Sequence, residues 1–186
     1  TKFLTLTILN SFVVRFPGLE EQRKIAAILT AYDDLIETNK RRIALLEKMA
    51  EELYSEWFVR MRFPGHQNTK FFKGVPEEWP LERFTEIVVM NPRESIHESD
   101  LAPYVGMENL SQTSMHFVSN ETRTGASGSK FRNGDSLLPR ITPCLENGKR
   151  GFVTCLEDHQ VGLGSTEFIV FREKVLPAEY IYLLTC

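Results

Sequence analysis

Between Leu19 and Trp57 side chains recur at alternating spacings of four and three: Ile25, Leu29, Tyr32, Ile36, Asn39, Ile43, Leu46, Ala50, Leu53 and Trp57. All but Asn39 are wholly or largely apolar, and the spacing is that of a coiled-coil seam sustained over roughly four to five heptads. It predicts one long helix over residues 17–60. Neither Pro nor Gly interrupts the run, Pro17-Gly18 stands just ahead of it, and Pro64-Gly65 lies just beyond. At about 1.5 Å per residue such a helix spans about 60 Å, the dimension of a spacer. From Val75 onward the periodicity changes. Leu81 to Met90, Ser136 to Leu138, Gly151 to Cys155 and Glu167 to Phe171 are short β-prone runs separated by Gly, Pro and Asn, and Glu179 to Leu184 begins a helical pattern. The pattern predicts an α+β protein, a long coiled-coil helix attached to a strand-rich mixed globular domain over 75–186. Residues 61–74 have the composition of a linker. Residues 1–16 alternate imperfectly and suit a strand or the tail of a preceding domain.

Composition adds little until it is localised. The formal net charge of −3 argues at first against a nucleic-acid partner. Acids crowd the long helix, however, whereas Arg123, Lys130, Arg132, Arg140, Lys149 and Arg150 outnumber acids in a later, loop-rich stretch. Cys144, Cys155 and Cys186 have no close metal-ligand spacing to His66, His97, His116 or His159, so structural thiols are expected rather than a metal site or a disulfide framework. No apolar run is long enough to cross a bilayer and no secretory leader is visible, which points to the cytoplasm.

Signatures of catalysis are missing. There is no phosphate-binding loop, no nucleophile elbow, no dinucleotide fingerprint and no zincin pair. Asn91-Pro92 is half of the adenine-methyltransferase motif N-P-P-aromatic, but Arg93 stands where the second Pro belongs. No catalytic residue is expected.

Five ordered segments together resemble the specificity subunit of type I restriction-modification enzymes. Pro17-Gly18-Leu19-Glu20-Glu21-Gln22-Arg23-Lys24-Ile25-Ala26 is similar to the start of that family's conserved helices, and Leu53 through Val59 to their end. Val75-Pro76-Glu77-Glu78-Trp79 resembles the start of a target-recognition domain, with Glu78 in place of Gly. Residues 140–149 and 162–168 resemble its internal loops. The resemblance implies a non-catalytic subunit whose recognition domain reads one half of a bipartite double-stranded DNA site. It implies as partners two modification subunits, which bind S-adenosylmethionine, and restriction subunits, which use ATP and Mg, so that the cofactors belong to those partners. By the same resemblance residues 1–16 would close a first recognition domain, and the second would be incomplete at its C-terminal end. The seam has no partner helix in this chain, which predicts a homodimer, antiparallel like the two-helix arrangement that the family builds within one chain.

Duplex reading needs side chains that reach base edges and donors that fix register on phosphates. Two turn-rich stretches supply both. Gly125 to Gly134 offers Lys130, Arg132 and Asn133, and Pro139 to Gly151 offers Arg140, Thr142, Asn147, Lys149 and Arg150. Arg150 and Asn147 suit base edges, Lys130 and Lys149 suit phosphates. Ser165 and Thr166, in the Gly-rich run from Gly162, add hydroxyls. The same residues also suit solvated hairpin loops and a strand-entry turn. Trp57 and Trp79 are expected to pin the domain onto the helix. A coiled-coil assembly module that binds protein instead of DNA is the alternative reading.

Overall fold

The computed structural model describes residues 3–125 and 127–186. Thr1, Lys2 and Ala126, which fall in the expected amino-terminal tail and in the Gly125–Gly134 loop, lie outside the described residues. The chain divides into two compact units, Thr1–Ile43 and Ala44–Cys186.

In the first unit the amino-terminal stretch, expected as a strand or the tail of a preceding domain, holds a short helix, α1 (Leu6–Asn10). Thr5 decides this locally: its hydroxyl accepts the Ile8 N–H at 3.3 Å, a side-chain cap that no strand would use. Helix α2 spans Leu19–Tyr54, 36 residues, and continues into the second unit. Gln22 secures its start, donating its side-chain amide to the Pro17 carbonyl (2.7 Å) and its N–H to that of Gly18 (3.0 Å). Glu20–Lys24, Glu37–Arg41 and Glu52–Lys48 pair one turn apart on its surface. The apolar face is broader than the seam alone. Ile28 and Leu35 flank it, and Leu29 and Tyr32 are 59% and 63% exposed.

In the second unit, the helix ends in a π-type turn, Ser55–Val59, where the Arg60 N–H reaches the Ser55 carbonyl at 2.8 Å. The wider turn rotates its side chains off the seam. Trp57, the last expected seam position, accordingly lies beside Phe58 (6.4 Å between ring centroids), which packs on Trp79 (5.7 Å) and Tyr180 (5.0 Å). Residues 61–74, read as a linker, carry defined structure: Phe63 stacks on Trp79 (5.2 Å), and β1 (Phe71–Phe72) pairs with β2 (Val75–Pro76).

The rest of this unit is built on two four-stranded sheets. One has the order β3 (Val88–Met90), β10 (Phe168–Glu173), β7 (Ser136–Pro139), β8 (Gly151–Phe152), and is entered through the single turn α3 (Phe84–Ile87). The other has the order β5 (Glu121–Thr124), β4 (Leu101–Val105), β9 (Gly162–Gly164), β6 (Ser129–Phe131), with β4 and β9 parallel. Strand β10 shows why they pack. Alternate side chains leave opposite faces of a strand; Phe168 and Val170 join Phe131, Leu137 and Val153 in the main core, while Ile169 and Phe171 pack with Val88 and Ile181, the latter from α4 (Ala178–Leu184).

The glycines of β9, part of the Gly-rich run that suits a strand-entry turn, serve this core. The Phe131 ring, fully buried, packs against them: a Cβ at Gly162 would overlap it, and one at Gly164 would stand 2.9 Å away. Gly162→Ala is therefore expected to cost about 1–3 kcal/mol through overpacking, read as a lowered urea midpoint with an unchanged slope. A neutral effect would mean that the ring has room to move.

Candidate nucleic-acid interface

The chain turns out of β3 at Asn91, whose φ of 47° is left-handed. Its N–H donates to the Val170 carbonyl (2.7 Å) and its side-chain oxygen accepts the Val170 N–H (3.0 Å). Asn91-Pro92 is thus a strand-ending clasp, and it delivers Arg93 and Glu94 across the sheet. Arg93, Lys130 of β6, Arg140 at the end of β7 and Thr166 before β10 then line one open concavity of about 500 Å³. Four separate segments bring three cations and a hydroxyl together. Arg93 is the contributor that sequence reasoning missed; its only signal was a lone Arg after a strand-ending Asn-Pro.

Glu94 is almost buried and faces two arginines, Arg172 at 2.6 Å and Arg132 at 2.6 Å. Burial pushes its carboxyl pKa up, but hydrogen bonds from Arg172 and Arg132 outweigh this and hold it below the usual range. Arg172 also forks onto fully buried Asp135, with Nε and Nη2 each 2.7 Å from a carboxylate oxygen. Arg132, expected at DNA, is drawn into this network.

Several other expected contacts have structural partners. Asn133 is spent on the backbone, donating to the Leu156 carbonyl (2.8 Å) and accepting its N–H (3.1 Å). Arg150, the preferred base reader, is only 7% exposed. Its guanidinium donates to Glu51 of α2 and to the Gly148 carbonyl, and lies over the Tyr182 ring. Enclosed in this way, the group expected at a base edge ties the helix end to the domain. Lys149 gives its ammonium to the Met107 carbonyl (3.0 Å). Asn147 stays exposed on a loop of successive turns closed by Asn147 N–H to Pro143 O (2.9 Å) and Lys149 N–H to Cys144 O (3.0 Å). Thr142, on the same loop, donates to Glu146 (3.3 Å). Ser165 accepts the Glu167 N–H (3.2 Å). Burial pushes the Cys186 thiol up to about 11 and raises that of Cys155, which leaves both protonated at neutral pH.

Residues 1–48 match the family described as the type I restriction modification DNA specificity domain. The MjaIX specificity subunit of Methanocaldococcus jannaschii is 32% identical over 114 residues, 55% of this chain and 26% of that protein. The MjaVIII specificity subunit of the same organism is 32% identical over 82 residues, 44% of this chain and 19% of that protein. The HsdS subunit from Thermoanaerobacter tengcongensis superposes with a TM-score of 0.47 at 19% identity, covering 91% of this chain and 41% of that one. The chain is related by sequence to the specificity subunits of type I restriction enzymes, and spans about a quarter of the length of the first of these relatives. Among the described residues no helix is long and apolar enough to cross a membrane.

Proposed function

We propose that this chain is a DNA-reading, non-catalytic component of a cytoplasmic type I restriction-modification complex. The convergence of Arg93, Lys130, Arg140 and Thr166 on one concavity carries the reading, because it sets three cations, against the one lining carboxylate of Glu94, in one place in a chain whose total is acidic. The strand-rich domain reads one half of a bipartite site, and the apolar face of α2 takes a second helix. Modification and restriction subunits would bring S-adenosylmethionine, ATP and Mg, together with much of the electrostatic grip on DNA. A second copy fits the helix face: Asn39 stands midway between Ile25 and Leu53, so an antiparallel pair would set it against its own mate and fix the register.

The test is a binding selection of the chain with its modification subunit on a random duplex library. One enriched half-site is expected. Arg93→Ala and Lys130→Ala should weaken binding to all duplexes alike and lower the salt slope by about one each, because each removes one phosphate contact. Association with protein partners at an affinity indifferent to duplex would instead favour the assembly module.

A further inference from the structure

Resting on that reading, we infer that Arg140 reads a guanine and that Glu167 is its positioning residue. Arg140 sits on the rim of the concavity with its side chain 57% exposed. Its Nε donates to Glu167 Oε2 at 2.8 Å, and its two terminal nitrogens have no hydrogen-bond partner among the described residues. Anchoring through Nε turns the end-on edge of the guanidinium outward. That edge presents two parallel donors, the complement of O6 and N7 of guanine in the major groove.

Glu167 is itself held. Its N–H donates to the Ser165 hydroxyl (3.2 Å), its carboxylate accepts from Thr166 (3.4 Å), and its carbonyl accepts the Arg140 N–H (2.9 Å) at the close of the β7–β10 ladder. Two backbones locked in register thus fix both ends of the pair, so little rotamer freedom remains to be lost when a base docks. The charge balance favours a base over a phosphate. Glu167 neutralises Arg140, which weakens attraction to a phosphate and leaves intact the directional donors that a guanine edge needs.

The domain's other arginines lack this combination. Arg172 commits Nε and both terminal nitrogens, Arg132 gives one to Glu94, and Arg123 places Nε and Nη2 on Glu121 and lies against the Tyr104 ring. Arg150 is enclosed, and Arg83 and Arg93 are exposed with no anchoring hydrogen bond or ion pair among the described residues.

The experiment repeats the half-site selection with the wild-type chain and with Arg140→Ala, Arg140→Lys and Glu167→Gln, each checked for an unchanged melting profile. The wild type is expected to select guanine at one position. Both Arg140 variants should lose that preference by about 5- to 100-fold and keep every other position. Arg140→Lys should also retain the wild-type salt slope on unrelated duplex. Glu167→Gln should relax the same single position by several-fold, which a merely structural role would not do. Replacing the selected guanine by 7-deazaguanine, which lacks N7, should weaken the wild type about tenfold and Arg140→Ala not at all. Uniform weakening of Arg140→Lys or Arg140→Ala on every duplex, or an intact guanine preference in Arg140→Ala, would overturn the assignment while leaving the half-site reading in place. A wild type that selects no sequence would overturn both.

Discussion

Asp135→Ala is expected to destabilise the strand-rich unit by about 3–5 kcal/mol, the cost of leaving one partner of a buried ion pair unmatched. The Asp135 carboxylate is fully buried and accepts three hydrogen bonds, two from the Arg172 fork and one from the Arg132 N–H at 2.8 Å. Its removal opens a cavity and leaves Arg172 dependent on Glu94 alone. Against a typical total of about 5–15 kcal/mol this is a large fraction. Urea unfolding followed by far-UV circular dichroism measures it, and a loss under about 1 kcal/mol would show that solvent reaches the network. The same network sets an acid limb. Because the folded-state pKa of Glu94 lies below its ordinary value, its contribution is complete above the usual carboxylate range and is lost as pH falls through the folded value. Glu94→Gln should therefore flatten the fall of stability with acid.

The second large effect concerns α2. Leu29→Asp is expected to abolish pairing of the chain through its helix, raising the dissociation constant by about 100-fold or more, because symmetry buries the new carboxylate twice and each burial costs several kcal/mol. Leu29 lies in the Thr1–Ile43 unit and takes no part in the sheets, so melting of the strand-rich unit should not change. Sedimentation of the wild type should show a dimer at micromolar concentration and of the variant a monomer. A variant that stays dimeric would place the interface elsewhere than on this face, and a wild type that is monomeric at high micromolar concentration would overturn the pairing itself.

Some of this protein is legible in its sequence for local reasons. Helix α2 is announced by a period and by the absence of Pro and Gly, both properties of neighbouring residues, and the runs at 136–138 and 167–171 prove to be the paired strands β7 and β10. Local chemistry misleads where short-range alternatives compete. The imperfect alternation of residues 1–16 leaves a strand and a domain tail open, and a single hydroxyl at Thr5 caps a helical turn there. The glycines at 162 and 164 suit a strand-entry turn, and what requires them is the Phe131 ring, distant in the chain.

Hydrophobic period, turn residues and the five family-like segments thus determined from sequence alone the helix, the strand-rich domain and the likeness to specificity subunits. Which of the expected arginines stay exposed and which are enclosed or paired was decided by the tertiary structure. Arg150 meets Glu51 across 99 residues, Arg132 meets Glu94 across 38, and Arg140 meets Glu167 across 27. An ion pair is a matter of separation in space and of access to water, and neither can be read from spacing along the chain.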